Sequence, residues 1–203
     1  MIRHTQRRVV RYVPLFVLLL GVSFGQLSAR SLPSREIRVR KLAELIRSAD
    51  VIAEVRITAG EGGERYQPVY RAQVEESLKG VQAGAILHLG GSSFVIGQVY
   101  VVFLARRGTV GERLAQTELS HSFPAEAPYY DIETDLFGQF RLVVTQAFGD
   151  VDVAASFARE WVILPDTLRQ VIVDCSEEEP KALVLRDQLF ASIRRALHAT
   201  TTE

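Results

Sequence analysis

The chain has one cysteine, Cys175, among its 203 residues. A lone thiol closes no disulfide within a chain, so no covalent staple supports the fold. Cys175 itself reads as a small, partly buried apolar residue. There is no paired Cys-x-x-Cys, no Cys/His spacing of a zinc site, and no glycine-rich loop of the kind that cradles phosphate. Net charge is also lacking: 24 basic residues balance 24 acidic ones. That balance excludes the strongly basic surface through which proteins grip nucleic-acid phosphates. No cofactor is expected. Long apolar runs are missing too. The run at residues 13–24 is broken by Pro14, Gly21 and Ser23. As a helix it covers about 18 Å, at about 1.5 Å per residue. A hydrocarbon core is about 30 Å thick, so this run is too short for a comfortable span.

Arg3, Arg7, Arg8 and Arg11 precede that run, and Gly25, Ser28 and Ala29 follow it. A basic start, a short apolar stretch and small residues are the marks of a secretory signal peptide. Cleavage is expected after Ala29, with Gly25 as the alternative cut, and an uncleaved anchor is the competing reading. Arg7-Arg8 echoes a twin-arginine signal, but Arg11 stands where that pattern wants an apolar residue. The expected address is periplasmic or secreted, with no transmembrane span after cleavage. Removing residues 1–29 takes away four arginines and no acid. The remainder holds 20 basic and 24 acidic residues, a net charge of −4.

The mature chain, residues 30–203, reads as one domain. Residues 34–48 have helical spacing at Leu42, Leu45 and Ile46. The period then drops to two. Val51, Ala53, Val55 and Ile57 alternate with Ile52, Glu54, Arg56 and Thr58, which predicts a strand with one apolar and one mixed face. Further strands are predicted at 69–78, 86–89, 99–105 and after Gly138, where Phe140, Leu142 and Val144 share a face. The continuous apolar run 99–104 suits a strand covered on both sides. Residues 109–128 lack a period and read as a loop, and 146–166 are ambiguous between strand and short helix. A helix is predicted over 181–198, with Leu185, Leu189, Phe190, Ile193 and Leu197 as its apolar stripe and Arg186, Arg194 and Arg195 on other faces. The expectation is a mainly β (α+β) protein. A five-stranded OB-like antiparallel barrel over 48–145 is flanked by an N-terminal and a C-terminal helix, the latter within a C-terminal extension, 146–203.

Three stretches carry a resemblance. They are residues 48–55, residues 70–80 ending in Leu78-Lys79-Gly80, and residues 94–104 with Gly97, Tyr100 and Phe103 three apart. Together they resemble bacterial exported proteins akin to the netrin-like domain and the tissue inhibitors of metalloproteinases. The resemblance spans about half the chain and implies an OB-fold barrel outside the cytosol. Those inhibitors meet zinc with a cysteine at the mature N-terminus. No residue here matches it, so their inhibitory mechanism does not carry over.

Candidate chemistry is sparse. His88 lies opposite Leu87 and Leu89 on its strand, where a solitary histidine is ordinarily a tolerated residue. His121, between Ser120 and Ser122, is the one place for a serine, base and acid set, and this gives the alternative function of an envelope hydrolase. Gly90-Gly91-Ser92-Ser93 lacks the spacing of a nucleophile elbow. Asp131, Glu133 and Asp135 alternate, but Leu136 stands where a calcium loop wants glycine, so they read as solvated acids, as do Glu177, Glu178 and Glu179. Phe123, Tyr129 and Tyr130 cluster around Pro124 and Pro128 in the long loop and are the expected binding residues, in competition with a role as a cap on the barrel end. The expected function is an exported, non-enzymatic binding or interaction module. Its partner is unknown, an envelope or extracellular protein rather than nucleic acid. Single-strand nucleic-acid binding is suggested by the barrel class alone, and the acidic balance speaks against it.

Overall fold

The computed structural model describes residues 39–61, 68–90, 93–115, 122–132, 139–158, 162–173 and 181–200. In chain order these hold β1 (Arg40–Lys41), α1 (Leu42–Ser48), β2 (Val51–Glu61), β3 (Val69–Lys79), β4 (Ile86–Gly90), β5 (Val99–Thr109), α2 (Val110–Leu114), β6 (Pro128–Ile132), β7 (Gln139–Thr145), β8 (Asp152–Ala158), β9 (Val162–Ile163), β10 (Gln170–Val173), β11 (Lys181–Leu185) and α3 (Arg186–Thr200). Residues 1–29, where a signal peptide is expected, and His121, Glu133, Asp135, Trp161, Cys175 and the acidic run at 177–179 lie outside the described residues.

Five strands close a barrel in the order β5-β2-β3-β4-β6 and back to β5. The expected five-stranded barrel, flanked by a helix near each end, is therefore present, but its pairing is mixed. β4 and β6 run parallel, with His88 beside Tyr129. Directions cannot alternate all the way round a ring with an odd number of strands, so a closed five-stranded barrel must hold a parallel pair.

The alternation of β2 explains its placement. Val51, Ala53, Val55 and Ile57 point into the barrel with Ala72, Val74, Leu87, Leu89, Val102, Leu104 and Ile132. Tyr70, Phe94 and Tyr100 join them as two edge-to-face ring contacts, 5.2 and 5.0 Å between centroids, a geometry that aromatic quadrupoles favour. Odd spacing puts Tyr100 inside the barrel and Phe103 on the opposite face. The Leu78-Lys79-Gly80 turn has an equally local cause. Gly80 has φ +73°, and a Cβ there would lie 2.0 Å from the Asp50 carbonyl oxygen.

β5 splits the sheet. One edge pairs with β2 along its first half. The other edge pairs first with β7, through Tyr100–Val102, and then with β6, through Leu104–Thr109. The first branch continues as an arm, β7-β8-β11-β10. A second core forms where this arm, α1 and α3 cover the outside of the barrel. It contains Ile52, Val101, Phe103, Phe140, Phe157, Val184, Leu189, Phe190 and Ile193. The apolar run of β5 is thus buried on both faces.

Four expectations change. The fifth barrel strand is β6, whereas the strand predicted after Gly138 is β7, which belongs to the arm. Residues 40–41 form β1, paired with Val162–Ile163, so the helix begins at Leu42 rather than 34 within the described part. Residues 109–128 are not one loop. Thr109 and Glu112 form a reciprocal capping box that starts α2, and Pro128 opens β6. Residues 181–185 are a strand, and α3 starts at Arg186. The short run Lys-Ala-Leu-Val-Leu continues the helical stripe in sequence, but β8 and β10 flank it and take its backbone hydrogen bonds. The ambiguous stretch 146–166 holds β8 and β9.

Candidate functional site

Arg186, the first residue of α3, reaches across to the barrel wall. Its Nε donates to Glu54 Oε2 at 2.6 Å, and one terminal nitrogen donates to Glu76 Oε2 at 2.5 Å. Its other terminal nitrogen donates to Asp187 at 2.9 Å, and Arg194 also donates to Glu76. Glu54 and Glu76 are cross-strand neighbours on β2 and β3. Two like charges opposite each other repel, so the guanidinium is what makes their pairing tolerable. The guanidinium lies 4.3 Å from the Phe190 ring centroid, a cation–π arrangement. Burial works against its charge, but the hydrogen bonds it donates to Glu54 and Glu76 outweigh that and hold its pKa above the ordinary arginine value.

Glu54, Arg186 and Asp187 of this cluster line an open groove of about 730 Å³. The barrel wall supplies Glu54, Arg56 and Glu75, and the approach to β5 supplies Gln98. Arg56 Nε donates to Glu75 at 2.5 Å. The arm supplies Val144, Val151 and Val153, which are 73%, 65% and 44% exposed. Val144 and Val153 are cross-strand partners. They continue the face that carries Leu142 and Ala155 into the second core. β7 pairs with β5 only through Gln139–Arg141. From Leu142 to Thr145 it keeps β8 on one side and no strand on the other among the described residues. The groove is therefore bordered by an apolar wall, an open strand edge and a charged wall. Its acids are Glu54, Glu75, Asp152 and Asp187 against Arg56 and Arg186, four against two, for a net −2.

The residues expected from the sequence to bind lie elsewhere. Phe123 and Tyr129 are interior, in a small core with Val69, Val110 and Leu114, and Tyr130 is half-buried. The two buried rings fasten the strap of residues 122–127 and β6 to the barrel instead of offering a contact surface. The reason is local: Gly90 lets the Tyr129 ring pass, since a Cβ there would lie 1.8 Å from its Oη. Tyr129 Oη donates to Asp131 Oδ1 at 2.5 Å. Burial and this carboxylate hold the phenol well above its ordinary pKa. Asp131 is thereby engaged within β6. His88 packs against Phe123 at 5.3 Å, and its Nε2 is buried without a hydrogen-bond partner. Burial, and then Arg71, lower its pKa.

Sequence reading missed the groove. The mixed face of β2 did place Glu54 outward, and helical spacing set Arg186 off the apolar stripe. Nothing in the sequence joins two residues 132 positions apart. Among the described residues no group of three or more His, Cys, Asp or Glu side chains is arranged to hold a metal ion, and no helix is long and apolar enough to cross a membrane. No protein-family model matches the chain, and no curated protein or solved structure matches it.

Proposed function

We propose that this protein is an exported, non-enzymatic binding module that holds an extended polypeptide segment in the groove beside β7. The observation that carries the reading is the edge of β7 at Leu142–Thr145, which no strand among the described residues covers, next to the exposed Val144 and Val153. An open edge offers unpaired backbone donors and acceptors to an added strand, and neighbouring side chains set which sequences fit. Here the valines favour apolar residues, and the −2 balance of the groove favours basic ones. The partner is accordingly a protein with an exposed segment that mixes apolar and basic residues.

The export part of the reading is supported by the first 29 residues, with their basic start, apolar stretch and small residues. Kinship with the netrin-like and metalloproteinase-inhibitor barrels belongs to the same proposal. It is supported by the turn at Gly80 and by the opposite-facing Tyr100 and Phe103.

The test is a selection of displayed peptides on the mature chain, repeated with Val144→Lys/Val153→Lys. Peptides rich in apolar and basic residues should be recovered, and they should bind the double variant about tenfold more weakly or worse. Peptides that bind both proteins equally, or no recovered peptide at all, would remove the groove from the account.

A further inference from the structure

A second cavity, of about 450 Å³, lies on the outer face of the barrel, lined by Thr58, Arg71, Gln73, Ile86, His88 and Pro124. No aspartate or glutamate lines it. We propose that this cavity is an oxyanion site, taking a phosphate, sulfate or carboxylate group, with Arg71 as its anchor.

The arginine is set in place before any ligand arrives. Its Nε donates to Thr58 Oγ1 at 3.2 Å, and Thr58 Oγ1 donates back to the Arg71 carbonyl at 3.1 Å. Holding Nε fixes the plane of the guanidinium, and its terminal nitrogens have no carboxylate partner among the described residues. Arg56, Arg186 and Arg194, by contrast, are committed to carboxylates: Arg56 to Glu75, Arg186 to Glu54 and Glu76, Arg194 to Glu76. A planar fork with free donors matches the oxygens of a phosphate or carboxylate. Gln73, exposed beside Arg71 on the same face of β3, adds an amide donor.

His88 is the second, independent observation. It lines the same cavity, pairs with Arg71 across β3 and β4, and is 5% exposed. Its Nε2 is buried with no hydrogen-bond partner, which is unusual for a ring nitrogen in a native interior. The charged and titratable groups around it are Arg71 on β3, the hydrogen-bonded Tyr129 and Asp131 on β6, Arg113 of α2 over the Tyr129 ring, and Glu61, which holds Ser122 at the start of the strap. Of these, Arg71 opposes a proton on His88. An anion seated on Arg71 offsets that opposition, so proton uptake by His88 and anion binding reinforce each other. Binding should tighten as the pH falls.

Sulfate is the probe, because it stays a dianion across the working range. Titrated into the mature chain at low ionic strength and followed by amide chemical shifts, it should give saturable shifts at Arg71, Gln73 and His88. Arg71→Gln should weaken this about tenfold. Arg71→Lys keeps the charge but loses the fork and the tie to Thr58, and should also weaken it. His88→Gln should still bind but lose the tightening that the parent chain shows between about pH 7.5 and about pH 5.5. Acetate in place of sulfate tells a carboxylate ligand from a phosphate-like one. Absent sulfate shifts, or equal affinity in the folded Arg71→Gln chain, would overturn the site. A flat pH profile in the parent chain would overturn the part given to His88.

Discussion

Glu54 and Glu76 stand opposite each other on neighbouring strands, and a single guanidinium, that of Arg186, donates to both. This contact ties the first residue of α3 to the barrel wall, so that the helix starts beside the groove. It is the joint between the barrel and the arm's second core.

Removing that joint should be costly. Glu54 is 8% exposed, so Arg186→Met leaves a carboxylate almost without water and without its partner. Breaking such a pair costs about 3 kcal/mol. For a chain of this size that lowers Tm by roughly 6–12 °C. Replacing Glu54 by Gln in the same chain should recover part of the loss, so a double-mutant cycle measured by thermal unfolding should return a coupling of at least about 1 kcal/mol.

Gly80→Ala should destabilise by about 2 kcal/mol, because the turn needs a positive φ and a Cβ would meet the Asp50 carbonyl. Gly84→Ala provides the control: its φ is also positive, +82°, but nothing lies within 4 Å of a new Cβ. Urea unfolding of the two variants should rank Gly80→Ala as the worse.

His88 gives a dependence on pH with a definite sign. Burial, then Arg71, depress its pKa below 6.5 in the folded chain. The unfolded chain therefore binds the proton more readily. The stability that neutral His88 contributes is complete above about pH 6.5 and is lost as the pH falls from there toward the folded value. Unfolding free energies measured for the parent chain and for His88→Gln should differ by a constant amount above about pH 7, and the parent should lose stability faster on the acid side.

Four of the five barrel strands, β2 to β5, were legible because each keeps a two-residue rhythm or, in β5, an unbroken apolar run; the fifth, β6, follows directly on the stretch read as a loop and carried no such signal. α3 was legible in Leu189, Phe190 and Ile193. What escaped had physical causes. Residues 181–185 form a short apolar run that fits strand or helix equally, and neighbouring β8 decides it. β8 is rich in alanine, a residue that favours strands little, and its place comes from β7 and β11 on either side. The capping box at Thr109 and Glu112 was a signal that could have located α2. Phe123 and Tyr129 looked like loop aromatics, but Gly90 and His88 give them an interior berth, which only the folded barrel reveals. The groove had no sequence signature at all, since its walls come from β2, β3, β7, β8 and α3.

Val144→Lys/Val153→Lys should leave the fold intact. Both side chains are exposed, and surface changes of this kind usually shift stability by about 0.5 kcal/mol or less. A loss of Tm beyond roughly 4 °C would mean that the valines support the arm itself rather than await a partner.

The measurement that bears most directly on the binding proposal is an amide chemical-shift map of residues 30–203 with a selected peptide rich in apolar and basic residues. Strand addition at β7 predicts the largest shifts at Leu142–Thr145, Gln98 and Asp187, with new slow-exchanging amides between Leu142 and Thr145. Shifts centred instead on α1, or scattered with no protection along β7, would contradict it.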